Sequence, residues 1–282
     1  MHLTRPEGTQ PADLHLTRRA AVGSMFFAGY ALAALDANAA PITTPADDLV
    51  IEEALIPNGA EKPLPAYVAR PKKAGRHPTV IVVNEIFGVH DYIKDICRRF
   101  AKLGYVAVAP EFFYRSGVNL PALTDFAEIR KVVGQASPEQ VDGDVKATSA
   151  WVKAQKFANG AKIGITGFCW GGAVVWRAAM VDPDIKAGVA WYGQLKPLIA
   201  RAGELKAPVL GLYGGKDQGI PLTDVEAMQA ALKAAGKTGS SIHVYPDAPH
   251  GFHADYRPSY VEADAKDGWA RLLAHFKANG VA

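Results

Sequence analysis

Cys169 stands in the run Gly167-Phe168-Cys169-Trp170-Gly171-Gly172, a cysteine flanked by small residues. Such a run can form a sharp strand-to-helix turn, because residues without a Cβ let the chain fold against itself while the central side chain is held out. Most turns of this kind present a serine; here the nucleophile would be a thiol. At the first turn of a helix the positive end of the peptide dipole favours the thiolate, which is the form that attacks. The implied chemistry is acyl transfer. The hexapeptide alone also admits a glycine-rich turn around a buried, inert cysteine, so its partners decide.

A nucleophile at such a turn needs a histidine to move its proton and a carboxylate to orient the histidine, and in this architecture both follow it in the chain, acid first. Asp217, in Tyr213-Gly214-Gly215-Lys216-Asp217, and His250, in Asp247-Ala248-Pro249-His250-Gly251-Phe252, each fall just past a predicted strand. Their competitors are weaker. Asp224 lies inside a predicted helix, His243 lies mid-strand, and His253 lacks the tight Pro-His-Gly setting. We take these three, with His77 and His275, as structural.

The elements that must position these groups alternate. Two strands are expected over 50–56 and 64–70, separated by the turn Pro57-Asn58-Gly59. The β-branched run over 79–84 reads as a strand buried on both faces. A helix over 91–102 follows, with Ile93, Ile96, Cys97 and Phe100 on one face, then a strand over 105–109. Helices are expected over 121–134 and 138–156, and a strand over 162–166 leads into the Cys169 turn and a helix. Strands over 187–192, 208–213 and 240–245, with helices over 221–235 and 259–278, complete the chain. Strands alternating with helices predict a mostly parallel sheet covered on both faces, the α/β class, with the chemistry in loops at the carboxyl ends of the strands.

Composition agrees and excludes other classes. The chain has 282 residues, 49% hydrophobic and 21% charged, which suits one large globular domain. A formal charge of +3, without a basic stripe or interleaved aromatics, argues against a nucleic-acid partner. The two cysteines can build neither a disulfide framework nor a zinc cluster, and no nucleotide or metal motif is present, so no cofactor is expected.

The first 39 residues read as an export signal. Thr17-Arg18-Arg19 precedes an alanine-rich apolar stretch over 20–35, and Ala37-Asn38-Ala39 offers the small residues that a signal peptidase inspects. Twin arginines in that setting indicate the twin-arginine route of bacteria and a periplasmic or secreted protein. A retained anchor is the alternative, but the stretch is interrupted by Gly23, Ser24 and Gly29 and is shorter than the ~20 residues of a spanning helix. No stable membrane insertion is expected once the signal is removed, and the domain over 40–282 would carry the activity.

Three segments together resemble the dienelactone hydrolase family over nearly the whole chain after the signal. They are the Gly167–Gly172 turn, the run Asn84-Glu85-Ile86-Phe87-Gly88, and the run His250-Gly251-Phe252-His253-Ala254-Asp255-Tyr256-Arg257-Pro258. The resemblance implies an α/β-hydrolase fold and a Cys-His-Asp triad of Cys169, His250 and Asp217, acting through a thioester that water then releases. It gives Glu85 the task of helping to generate the thiolate when substrate binds, and the amides of Ile86 and Trp170 that of stabilising the oxyanion. Arg115 falls where the family holds a substrate carboxylate. The family's second arginine stands four residues beyond the histidine, where this chain has Ala254; Arg257 is the nearest arginine. The expected substrate is therefore a small ester or lactone. A redox or sensing protein using Cys169, and a non-catalytic binding relative, are the alternatives; neither accounts for Asp217 and His250 in triad order. The oligomeric state has no signature in the sequence.

Overall fold

The run expected to be buried on both faces forms β3 (His77–Val83), and it takes an inner place in one eight-stranded sheet. This computed structural model describes residues 41–282; the expected export signal lies outside the described residues. β1 (Leu49–Ile56) and β2 (Leu64–Pro71) pair antiparallel, and β2 pairs antiparallel with β4 (Val106–Pro110). Beyond β2 the order is β4, β3, β5 (Ala158–Phe168), β6 (Ile185–Trp191), β7 (Val209–Gly214) and β8 (Ser241–Tyr245), every neighbour parallel. All residues of β4 and β7 are buried, as they are when helices cover both faces of a sheet.

Six helices are long enough to pack among the described residues: α1 (Asp91–Lys102), α2 (Phe126–Val133), α3 (Pro138–Ala154), α4 (Trp170–Val181), α5 (Leu222–Ala234) and α6 (Glu262–Ala278). α1 turns Ile93, Ile96, Cys97 and Phe100 inward, the face that the 3.6-residue period selects. Cys97 is wholly buried there, and burial pushes its thiol up, away from reactivity.

Several boundaries differ from expectation; β5, for one, starts at Ala158 rather than at 162. The segment expected as one helix over 121–134 is a short 3₁₀ turn, Leu120–Ala122, followed by α2. Asp125 starts the new helix by accepting the Ala127 N–H at 2.7 Å. α6 begins at Glu262 rather than at 259, because residues 251–260 are spent on successive tight turns. β5 runs to Phe168 instead of stopping at Thr166, so it delivers Cys169 directly to the carboxyl-end rim without a spacer.

Because the inner strands are parallel, their carboxyl ends share one rim. Glu85 follows β3, Cys169 follows β5, Tyr192 follows β6, Asp217 follows β7 and His250 follows β8. Among the described residues no helix is long and apolar enough to cross a membrane.

Candidate active site

Cys169 is the residue before α4 and has φ 58° and ψ −115°. A residue other than glycine held there costs about 1–3 kcal/mol, and such strain persists only where the surroundings enforce it. Here they do: the Cys169 N–H donates to the Trp191 carbonyl at 3.0 Å, and the Gly172 N–H donates to the Cys169 carbonyl at 2.9 Å. A Cβ on Gly171 would stand 2.5 Å from the Val83 carbonyl oxygen, and one on Gly172 would stand 2.5 Å from that of Trp191. The small residues are therefore required because the turn is pressed against the ends of β3 and β6. Trp170 opens α4, where no preceding turn supplies an acceptor for its amide.

The loops after β7 and β8 are laced together. The Gly215 N–H donates to the Tyr245 carbonyl at 2.7 Å and the Lys216 N–H to the Ala248 carbonyl at 3.0 Å. This fixes Asp217 against His250: Asp217 Oδ2 lies 2.7 Å from His250 Nδ1, while Oδ1 accepts the Gly219 and Ile220 amides at 2.8 and 3.1 Å. The Cys169 side chain is close enough to act on the charge of His250. Its side chain is 10% exposed. Burial works against the imidazolium, but the Asp217 charge and hydrogen bond, together with Cys169, overcome it and raise the group to about 10. The three residues that chain order selected thus meet on one rim, with Asp217 bonded to His250 and Cys169 within electrostatic reach of that imidazole.

Glu85 is wholly buried and faces a different set of partners. Arg257 Nη2 lies 3.0 Å from its Oε1, the Tyr256 hydroxyl donates to its Oε2 at 2.6 Å, and His90 Nε2 stands 3.6 Å away. Burial alone would raise this carboxyl; Arg257, then His90 and Tyr256, hold it down at about 2. Arg257 is equally buried, and despite the burial that disfavours its charge, Glu85 and Tyr256 push its pKa up. Its guanidinium lies over the Phe87 and Tyr256 rings at 5.1 and 5.2 Å. Nε donates to the Tyr256 hydroxyl at 3.0 Å, whereas Nη1 and Nη2 make no hydrogen bond among the described residues, the Nη2 contact being an ion pair only. Buried N–H groups of this kind are where a ligand oxygen would be accepted.

Arg115 is not gathered at that rim cluster. Its Nη1 and Nη2 grip both oxygens of Asp144, on α3, at 2.7 Å each, and Nε reaches Glu61 at 2.5 Å. The Asp144 hydrogen bond, acting against burial, drives its pKa up. Ile86 is 3% exposed, in a loop braced at both ends: the Asn84 amide donates to the Glu85 carbonyl, and the Val89 N–H donates to Glu111 at 3.2 Å.

Of the competitors, Asp224 lies in the first turn of α5 and His243 lies within β8. His253 is buried between aromatic rings with Nδ1 2.6 Å from the Tyr92 hydroxyl, and burial followed by Arg99 pushes it down to about 3, so it stays neutral. Sequence reasoning gave no role to His90, Tyr256 or Tyr192. Tyr256 was within reach, since it adjoins Arg257; His90 closes the same loop as Glu85. Tyr192 has φ 38° and is wholly buried, with its ring 5.0 Å from that of His250 and its hydroxyl without a hydrogen-bond partner among the described residues. An unpaired buried hydroxyl costs about 1–3 kcal/mol. Among the described residues no group of three or more His, Cys, Asp or Glu side chains could hold a metal ion.

Comparison with known proteins points the same way as the rim geometry. The profile of the dienelactone hydrolase family matches residues 64–280. A protein of Methylorubrum extorquens, provisionally named a carboxymethylenebutenolidase, is 47% identical over 282 aligned residues, covering 96% of each chain. One of Escherichia coli K12 with the same provisional name is 45% identical over 265 residues, 89% of this chain and 96% of that one. A crystal structure from Klebsiella pneumoniae, provisionally described as a dienelactone hydrolase, superposes with a TM-score of 0.77 at 45% identity, covering 81% of this chain and 98% of that one.

Proposed function

The chain belongs to the dienelactone hydrolase family and is a carboxymethylenebutenolidase-like hydrolase, and from that premise we propose that it cleaves small carboxylate-bearing esters or lactones through Cys169. The observation that carries this reading is the Asp217–His250 hydrogen bond at 2.7 Å beside Cys169, whose thiol acts on the same imidazole from a strained helix entrance. Cys169 Sγ attacks the ester carbonyl, and the oxyanion takes the amides of Ile86 and Trp170. The imidazolium of His250, stabilised by Asp217, gives its proton to the departing alkoxide. Now neutral, His250 takes a proton from water, and the hydroxide equivalent attacks the thioester. The carboxylic acid leaves and the thiolate is restored, so protons and bonds balance over the cycle.

Glu85 and Arg257 provide the link to substrate. A carboxylate arriving at the unspent Nη groups of Arg257 competes with Glu85 for the guanidinium. Glu85, loosened from its cation, becomes a better base and takes the Cys169 proton, which returns to the thiolate when the product carboxylate leaves Arg257. Arg257 fills the place left open by Ala254, approaching from three residues further along the chain. Arg115, with its charge already matched by Asp144 and Glu61, serves in this reading as a brace between α3 and the loop after β4. We also propose that Arg18 and Arg19 direct export by the twin-arginine route.

The test is acylation. Wild type mixed rapidly with p-nitrophenyl acetate should release a burst of about one nitrophenolate per chain, and intact-mass spectrometry should find an acetyl group on the peptide that carries Cys169. A burst that survives in Cys169→Ala, or acetyl on another residue, refutes the assignment.

A further inference from the structure

Three tyrosines converge behind the rim, and two have committed their hydroxyls: Tyr92 to His253 at 2.6 Å, and Tyr256 to Glu85 at 2.6 Å. Tyr192 has not. Its side chain is wholly enclosed, its ring packs edge-on against His250 at 5.0 Å and against Phe252 at 5.3 Å, and its hydroxyl meets no acceptor or donor. The groups in electrostatic reach of that hydroxyl are Glu85, Arg257, Tyr256 and Cys169, so it faces the polar side of the site rather than the core. Its backbone is also held at φ 38°, in the region that residues with a Cβ avoid. A folded protein retains an orphaned hydroxyl and a strained backbone at one residue when the surroundings enforce both, and such residues cluster at ligand sites.

We infer that the Tyr192 hydroxyl is a substrate-binding group, donating a hydrogen bond to the same substrate carboxylate that Arg257 receives. Arg257 offers charge and two nitrogens without a hydrogen bond among the described residues; Tyr192 offers a neutral donor within electrostatic reach of both that guanidinium and Cys169. Together they would fix the acid group at two points, so that the ester carbonyl is presented to Cys169 in one orientation. Burial, and then the Glu85 charge, keep the phenol protonated well above its ordinary range, which preserves it as a donor when an anion arrives. The ordinary alternative is a core tyrosine whose ring alone matters.

This inference rests on the hydrolase reading above, and Tyr192→Phe separates the two because it removes only the hydroxyl and keeps the ring against His250. On p-nitrophenyl hydrogen succinate the variant should lose at least tenfold in kcat/KM, mainly through KM. On uncharged p-nitrophenyl butyrate the loss should stay below threefold. Glutarate, which cannot be hydrolysed, should bind the variant at least fivefold more weakly by calorimetry, a readout that stands even if neither ester is turned over. The thermal midpoint of the variant should match or exceed that of wild type, since a hydroxyl without a partner has been removed; a structural tyrosine would lower it. Equal losses on both esters, unchanged glutarate affinity, or a lowered midpoint would each overturn the role. Wild type that hydrolyses neither ester would count against the hydrolase reading alone, and glutarate binding would still decide the role of Tyr192.

Discussion

Replacing Arg257 with methionine removes the main counter-charge of a carboxylate that has no access to water. Glu85 keeps only the Tyr256 hydroxyl at 2.6 Å and His90 at 3.6 Å. Holding its carboxyl at about 2 rather than 4.5 corresponds to roughly 3 kcal/mol, at ~1.4 kcal/mol per pH unit. Losing one partner of a buried ion pair costs about 3–5 kcal/mol in general, so both routes give the same size of effect. The sign follows from the depressed pKa: the stabilisation is present above 4.5 and is lost as the pH falls through about 2. Arg257→Met should therefore be less stable than wild type by about 3–5 kcal/mol at pH 7 in urea denaturation. The gap should narrow at pH 4, where Glu85 of the variant binds a proton and wild-type Glu85 does not. Glu85→Gln combined with Arg257→Met should recover most of the loss, because neither charge is then stranded. A deficit under about 1 kcal/mol, or a double variant no more stable than the single one, would refute the reasoning.

Asp217→Asn removes the charge that raises His250 to about 10; burial then dominates, the imidazolium is lost at neutral pH, and kcat should fall by about 10³–10⁴. The fall is read from pre-steady-state acylation together with the nitrogen chemical shifts of His250. Arg115→Met removes the counter-charge of the wholly buried side chain of Asp144, leaving it only the Asn58 amide at 2.6 Å among the described residues' side-chain donors, and should cost about 3 kcal/mol in urea denaturation, while the preference for acidic over neutral esters persists; loss of that preference would assign the substrate carboxylate to Arg115. Lysine at both 18 and 19 should leave the precursor in the cytoplasm, as followed by cell fractionation and immunoblotting; normal export would remove the twin-arginine reading.

Much of the fold was legible because the strands of a covered parallel sheet are continuous apolar runs. β3 and β4 announce themselves in that way, and α1 does so through its single apolar face. Cys169, Asp217 and His250 were legible because each stands at the end of such a run, so that order along the chain translates into position on one rim. Helix starts near residues 121 and 259 were misplaced for a local reason: a side-chain cap at Asp125 and a series of tight turns after Gly251 outweigh apolar periodicity. Arg257 could be named from sequence, but its pairing with Glu85 could not, since the two are 172 positions apart and meet only through the crossing of strands. The different fates of Arg115 and Arg257 were hidden for the same reason. Which cation is already neutralised depends on a carboxylate of α3 that carries no motif.

The rim also sets a timetable for the nascent chain. The thiol, Glu85 and Asp217 are all synthesised before β8, the last strand and an edge of the sheet, which carries His250 into place. On the proposed mechanism, a chain released only as far as residue 240 has Cys169 and Glu85 but not His250, and should show no esterase activity. Parallel pairing between distant strands is among the slower events of folding, so the thiol spends that interval without the proposed triad histidine. Recovery of esterase activity in a refolding experiment would therefore count only those molecules in which the final strand has docked, and should trail the fluorescence change of the inner tryptophans Trp176 and Trp191.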